Sequence, residues 1–323
     1  MTLRVCIANP AFIGDVLFSS RLCDALSRQY PEVQILFVAK PPAQQLAQHF
    51  PGVTQAVAFD KRGAHRGLAG VRAMAHIVND FNPEIFINTH RGWRMAYLTS
   101  LLQSKTRKVG FKGFWQFLLD DAVSYDAKET FFAREARLLR AVDVSDDDSH
   151  MRCGLNRDAV GKEIILAPGA NLGTKRWPVA SYIQLAQAFI AENFSVVLTG
   201  GPHEQELCSS IHTAVPQCVN RCGESLEEAM THMAHAALVV ANDSGLAHLA
   251  RAVQSPTLII FGPTPWQVHE LEQEAHALPV FNSIECSPCS AHGHAKCPQG
   301  HHQCMIDLSA KDVYAKAKVL LDI

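Results

Sequence analysis

Apolar and polar residues fall in regular blocks along this chain. Residues 3–8 (LRVCIA) form a short apolar run closed by Asn9-Pro10, the pattern of a strand buried on both faces. A helix is predicted over 15–30, stopped by Pro31. Next come a strand at 35–39, a helix at 42–50, a weak strand at 57–59, a helix at 64–80 and a strand at 84–88. This βαβ alternation predicts a parallel sheet covered by helices, doubly wound because such crossovers are right-handed. Residues 143–158 are polar and acidic and read as a linker. The pattern then restarts. Strands are predicted at 163–167, 195–201, 237–241 and 257–262. Helices are predicted at 179–192, 203–214, 225–236, 244–253 and 309–321, the last capped by Ser309. The expectation is an α/β protein of two Rossmann-like doubly wound domains, 1–155 and 156–323, with a ligand cleft where strand ends face each other.

Composition narrows the function. With 323 residues, 48% hydrophobic and 19% charged, the chain can fill two cores and is not disordered. A net charge of −2 argues against a general nucleic-acid binder. No apolar run approaches the length of a membrane span, and MTLRVCIANPAFIGD has neither the apolar core nor the cleavage site of a signal peptide, so a cytoplasmic protein is expected. The near-zero total hides a split: residues 1–155 carry 19 Lys+Arg and 15 Asp+Glu, residues 156–323 carry 10 and 16. The halves are expected to face different ligands, unless the split is chance.

Three loops follow predicted strands. In Asn9-Pro10-Ala11-Phe12-Ile13-Gly14-Asp15, Gly14 permits close approach of another molecule. Asp15 is either a helix cap or a general base. In Ala167-Pro168-Gly169-Ala170-Asn171-Leu172-Gly173-Thr174-Lys175-Arg176-Trp177-Pro178, two glycines and two cations before a helix suit a phosphate. The spacing is not that of a P-loop, and an ordinary loop anchored by Trp177 is the alternative. In Asn242-Asp243-Ser244-Gly245-Leu246-Ala247-His248, the free N–H groups of a helix start and its dipole favour a diphosphate. Asp243 would repel that anion, so it accepts hydroxyl donors or orients the loop, and His248 by itself reads as a packed histidine. Phe261-Gly262-Pro263-Thr264 ends the next strand at the same edge, as a turn at least. No strand is followed by G-x-G-x-x-G, which disfavours a nicotinamide-dependent oxidoreductase.

Together FIGDVLFSS, APGANLGTKRWP and NDSGLAHLA…FGPT resemble the signature of glycosyltransferase family 9, the bacterial ADP-heptose–lipopolysaccharide heptosyltransferases. The resemblance spans residues 3–322, with KRWP and NDSGLxH closest to the heptosyltransferase II branch. It implies a GT-B architecture of two Rossmann-like domains and inverting transfer of heptose from ADP-heptose to the lipopolysaccharide inner core. It further implies Asp15 as base on the acceptor hydroxyl and Lys175 on the donor diphosphate. Gly169, Thr174, Arg176, Asp243, Ser244, Gly245, Leu246 and His248 would complete the donor site. Glu227 matches an acidic position on the nucleotide ribose, with Glu228 next to it as the competitor. No cofactor is implied for catalysis, since Lys175 and the helix N-terminus would do the work of a divalent ion. Another nucleotide-sugar donor, a protein acceptor, or a non-catalytic nucleotide-binding protein are the alternatives.

The basic excess then gains a purpose. Arg91 and Arg94 flank Trp93, and Lys105, Arg107, Lys108 and Lys112 run among Phe111, Phe114, Trp115 and Phe117. With Gly14, the cations Arg91, Arg94 and Lys112 are the candidate contacts to an anionic lipid A–inner core acceptor. The aromatics are the candidates for peripheral contact with the inner membrane. The alternative is a solvated charge run beside core aromatics. Finally, Cys286-x2-Cys289-x7-Cys297-x6-Cys304 has four thiols within reach of a structural zinc or iron, with His292, His294, His301 and His302 as substitutes. Free thiols or a disulfide are the other readings. A catalytic metal is not expected, because the cluster is far in sequence from the three loops.

Overall fold

The computed structural model describes residues 2–145, 150–154 and 161–322. The chain divides into two compact units, Met1–Gly154 and Leu155–Ile323. The expected linker runs partly, and the expected boundary at 155/156 wholly, outside the described residues.

Unit 1 holds strands β1 (Arg4–Asn9), β2 (Gln34–Ala39), β3 (Val53–Ala58), β4 (Ile85–Asn88), β5 (Arg107–Phe111) and β6 (Asp121–Val123). Its helices are α1 (Ile13–Phe18), α2 (Ser20–Gln29), α3 (Ala43–Ala47), α4 (Gly67–Phe81), α5 (Trp93–Ser100) and α6 (Phe131–Arg140). Unit 2 holds strands β7 (Glu163–Ala167), β8 (Ser195–Leu198), β9 (Val219–Asn220), β10 (Leu238–Asn242), β11 (Thr257–Phe261) and β12 (Ala277–Phe281). Its helices are α7 (Val179–Ala191), α8 (Gln205–Ala214), α9 (Leu226–His235), α10 (Gly245–Ala252), α11 (Gln303–Ile306) and α12 (Ala310–Leu321).

Both sheets are wholly parallel, ordered β3-β2-β1-β4-β5-β6 and β12-β11-β10-β7-β8-β9. Read from β9, the second order repeats the first. The central strands β1, β2, β10 and β11 are buried almost throughout, which is why their sequences are unbroken apolar runs. In each sheet the direction of winding reverses beside the first strand, between β1 and β4 and between β7 and β10. Loops leaving the carboxyl ends at such a point diverge and leave room for a ligand.

The structure departs from the predicted elements in several places, and α5, β6, α6 and α11 have no predicted counterpart at all. The single helix expected over 15–30 is two, parted at Ser19. Ser19 ends α1 by donating its N–H to the Asp15 carbonyl, while its hydroxyl turns to Glu135 on α6. A serine that bonds away from its own helix breaks the regular ladder. The basic run is not simply a solvated tract: Arg107 and Lys108 lie on β5, where Arg107 reaches Asp121, Asp143 and the Ala141 carbonyl. The two-residue β9 and β12, whose apolar run ALPVF is interrupted by Pro279, are edge strands, and neither is legible as a strand. Strand β3 begins at Val53 rather than at 57 because it pairs along most of β2.

Asn242, at the end of β10, ties unit 2 together at its reversal point. Its Nδ2 donates to the carbonyls of Pro168 (2.7 Å) and Gly169 (3.3 Å), and its Oδ1 accepts from the Trp177 amide at 3.1 Å. Trp177 is buried, and its indole N–H donates to the Leu308 carbonyl at 2.9 Å. Asn242→Ala would leave a buried amide and a buried carbonyl unpaired, so we expect a loss of about 2–4 kcal/mol in urea unfolding. A cost below about 0.5 kcal/mol, the range of an ordinary surface change, would show that the loop does not depend on this side chain.

Candidate functional site

The donor candidates converge at the carboxyl edge of the second sheet. The loop after β7 ends in a single turn of 3-10 helix, Gly173–Lys175, and the loop after β10 enters α10. Lys175 Nζ is 2.6 Å from Asp243 Oδ2, and the Thr264 hydroxyl donates to the same oxygen at 2.7 Å. His248 Nε2 and His269 Nε2 face Asp243 Oδ1 at 3.7 and 3.8 Å. Behind them, Arg251 is fully buried, donates twice to Glu274 at 2.7 and 2.8 Å and once to the His269 carbonyl, and reaches His248 Nδ1 at 3.3 Å. Burial opposes the charge on Asp243, but His248, Lys175 and His269 overrule it and hold the carboxyl well below its ordinary range. Asp243 is therefore an anion that fixes the lysine.

Asp243, His248 and His269 are also, among the described residues, the one set of three ligand-type side chains whose atoms lie within 4.8 Å of one another. Lys175 already holds the same carboxylate, and Arg251 bonds His248 at its other ring nitrogen, so two cations bear on the cluster. The arrangement suits an anion approaching Lys175 better than a divalent ion.

Other donor candidates take distinct places. Ser244 caps α10 in extended conformation, and its buried hydroxyl has no partner among the described residues, next to the first amides of the helix. Leu246 is half-buried beside it. A Cβ on Gly169 would lie 1.7 Å from Glu204 Oε1, so a larger residue there would have to displace the tip of that side chain. Arg176 is exposed and turns back to the Ala170 carbonyl at 2.8 Å, so it shapes its own loop. Glu228 is occupied in a capping box with Ser225, accepting from both the amide and the hydroxyl at 2.8 Å. Glu227 is exposed on the first turn of α9.

Asp15 sits in the first turn of α1 and accepts the Phe12 amide on Oδ2 at 3.2 Å. The cap reading and the base reading are thus compatible, since a carboxylate has further lone pairs. Gly14 precedes it in the same turn. Around this loop the ends of four strands contribute cations: Lys40 after β2, Lys61 after β3, Arg91 and Arg94 after β4 and Lys112 after β5. Lys61 donates to the Pro10 carbonyl at 2.8 Å, and its ammonium is pushed down by burial and then by Arg94, Lys40 and Arg62. Arg91 lies over the Tyr125 ring and Arg94 over Trp93, and the buried Arg94 Nε has no hydrogen-bond partner. Sequence reasoning missed Lys40 because it stands among neutral residues, and Lys61 because it sits between Asp60 and Arg62 in what reads as a charged turn. It missed His269, Arg251 and Glu274 because no motif surrounds them.

The cysteine segment is remote in sequence but not in space, which corrects the expectation that it stands apart from the phosphate loop. The His294 carbonyl accepts from both the hydroxyl and the amide of Thr174, at 2.7 and 3.2 Å, and His302 Nε2 meets the Thr174 carbonyl at 2.8 Å. The amides of Cys289 and Ser290 both donate to the Pro263 carbonyl. All ten cysteines are free thiols. Burial raises Cys304 to about 11, helped by Cys289, Cys297 and Cys286. At Cys297 any burial effect is overruled by the amides of His302, Gln299, Gly300 and His301, which point at its sulfur and pull its pKa down. Cys286 Sγ is 3.9 Å from His301 Nε2.

The buried histidines set a pH response. His269 is pushed down to about 3, first by burial, and His248 is lowered for the same first reason. Both stay neutral in the folded state where an unfolded histidine would take a proton. Their stabilisation is complete above about pH 6.5 and is lost as the pH falls toward 3. For His269 the slope is about 1.4 kcal/mol per pH unit, so His269→Gln should flatten the acid side of a stability–pH curve. Identical slopes in the two proteins would contradict this.

Comparison with known proteins agrees with this geometry. The family model for glycosyltransferase family 9 (heptosyltransferase) matches residues 86–298. The chain is 26% identical over 353 residues to lipopolysaccharide heptosyltransferase 2 of Salmonella typhimurium, covering 99% of each. Its fold matches the structure of E. coli ADP-heptose lps heptosyltransferase II with TM-score 0.80 and 22% identity, over 99% of this chain and 98% of that one. It also matches E. coli heptosyltransferase WaaC with ADP-2-deoxy-2-fluoro heptose with TM-score 0.77 and 19% identity, over 98% and 99%. The two parallel six-stranded sheets are therefore those of the GT-B heptosyltransferase fold, and the chain belongs to glycosyltransferase family 9.

Proposed function

We propose that this enzyme moves a heptose from ADP-heptose to the inner core of lipopolysaccharide, with inversion at the anomeric carbon. The observation that carries the reading is Lys175 held on Asp243 beside the open N-terminus of α10, in a member of this family. Full-length relatives named for this transfer support it.

The chemistry follows from the residues. A sugar hydroxyl is a poor nucleophile near neutral pH, and Asp15 takes its proton as it attacks the anomeric carbon. The bond to ADP breaks on the opposite face, and the departing diphosphate gains charge. Lys175, the Ser244 hydroxyl and the amides of Gly245 and Leu246 are the donors for that charge, with Gly169 and Thr174 shaping the facing loop. The carboxylate of Asp243 keeps the ammonium in place, and Glu227 takes the ribose hydroxyls. Arg91, Arg94 and Lys112, with Lys40 and Lys61, hold the acidic groups of the acceptor. Phe114, 83% exposed, and Phe117, 71% exposed, lie beside Lys112 in sequence and suit peripheral contact with an anionic membrane from the cytoplasmic side. None of the helices among the described residues is long and apolar enough to cross a membrane.

We further assign Cys286, Cys289, Cys297 and Cys304 to a structural zinc or iron ion. The amides converging on Cys297 fit a bound thiolate, and the cysteines bear on one another electrostatically, although no three of their sulfurs lie within 4.8 Å of one another, so the ion would have to draw them together. The ion would cross-link the segment that grips Thr174, and it takes no part in the transfer.

Asp15→Ala is expected to lower turnover with ADP-heptose and a defined lipid A–core acceptor by about 10³-fold or more, while ADP binding by calorimetry changes less than twofold. Unchanged turnover would remove Asp15 from the mechanism. Transfer from another nucleotide sugar, or to a protein only, would replace the substrate assignment. Protein purified without a His tag should hold about one zinc or iron per chain, and prolonged chelation should raise the donor KM while brief chelation leaves kcat intact. Less than about 0.2 equivalents of either metal would end the metal assignment.

A further inference from the structure

A second carboxyl lies behind the proposed base. Glu135 on α6 is 7% exposed, and its Oε1 accepts the Ser19 hydroxyl at 2.7 Å. Ser19 Oγ accepts in turn from Asn9 Nδ2 at 2.8 Å, and the same Nδ2 donates to the Asp15 carbonyl at 2.9 Å. Three side chains therefore run from the core of α6, past the break between α1 and α2, to the backbone of Asp15. The second oxygen, Oε2, is buried with no hydrogen-bond partner among the described residues. A carboxyl half-satisfied in the core serves packing poorly, since a leucine would fill the space without that cost.

We propose that Glu135 is a positioning residue for Asp15: it fixes the helix that carries the base, and its negative charge makes that base stronger. The inference rests on the reading of Asp15 as the base. Burial pushes Glu135 up to about 7. The Ser19 hydrogen bond, Arg21 on α2 and Arg134 on α6 pull the other way, and the charge of Asp15 adds to the rise. Cys23, also on α2, lies alongside as a thiol pushed far up by burial and then by Glu135. From β5, which packs on α6, Arg107 is engaged by Asp121 and Asp143.

Coupling between two acids is mutual: if the anion at Asp15 disfavours the anion at Glu135, the reverse holds equally. Below about pH 7 Glu135 is neutral and Asp15 feels no charge from it. Above that pH Glu135 ionises, Asp15 binds a proton more tightly, and proton removal from the acceptor hydroxyl gains driving force.

The test compares kcat against pH for the full-length enzyme and for Glu135→Gln, with ADP-heptose and the lipid A–core acceptor. The amide oxygen of that variant still accepts from Ser19, but the side chain cannot ionise. The ratio of wild type to variant should be near 1 at pH 5.5 and rise to about 3–10 at pH 8.5, with the donor KM unchanged. Ser19→Ala gives an independent readout, because without that hydroxyl Glu135 ionises at higher pH and the alkaline rise should shift upward. A pH-independent ratio, as a purely structural role would give, overturns the inference, as does a Ser19→Ala profile that superimposes on wild type. If Asp15→Ala itself retains transfer, the base fails and Glu135 loses its role with it. If Asp15→Ala is inactive and the ratio is flat, the base stands and only the role of Glu135 fails.

Discussion

The ion pair between Lys175 and Asp243 is the constraint around which the second unit is arranged. An ammonium at this depth needs a carboxylate, and a carboxylate at this depth needs more than one donor. Asp243 has Lys175 and Thr264 on one oxygen and two histidines facing the other. Those histidines need fixed positions, which Arg251 and Glu274 supply. The chain of requirements ends in the core, so the lysine is presented at the strand ends with little freedom. A cation already held in place stabilises developing charge without reorganising when the leaving group departs.

Much of this was legible in the sequence, and the reasons for the gaps are physical. The central strands are buried on both faces, so burial writes itself as runs such as ILFVA, EIILA and TLIIF. Other strands carry no such mark: β5 begins with two cations, and the edge strand β12 contains Pro279. The strand-end loops were readable because a ligand edge needs glycines and charges at short spacing. The residues behind them were not. Glu135 is an ordinary acid in an ordinary helix until α6 is packed on α2, and His269 becomes part of the site only through its distance to Asp243. The break at Ser19 was invisible because its cause, Glu135, lies 116 residues away.

The cysteine segment shows how far linear separation can mislead. Some 120 residues part Thr174 from His294, yet the two share three hydrogen bonds. A Cβ on Gly293 would lie 2.9 Å from the Lys175 side chain, and one on Gly173 2.8 Å from the Ala295 carbonyl. The phosphate loop and the segment are thus fitted to each other at positions that tolerate no added atom. Whatever rigidity the segment has is passed to the loop that carries the lysine.

The two units also divide their sensitivity to the surroundings. Around Asp243 every shift moves titration away from neutrality: the carboxyl and both imidazoles go down. The cluster around Asp243 therefore keeps one charge state through ordinary changes in cell pH. In the other half Glu135 titrates close to neutrality. If Glu135 strengthens Asp15 as proposed, a modest acidification of the cell would slow the transfer step while leaving the charges around Asp243 as they are.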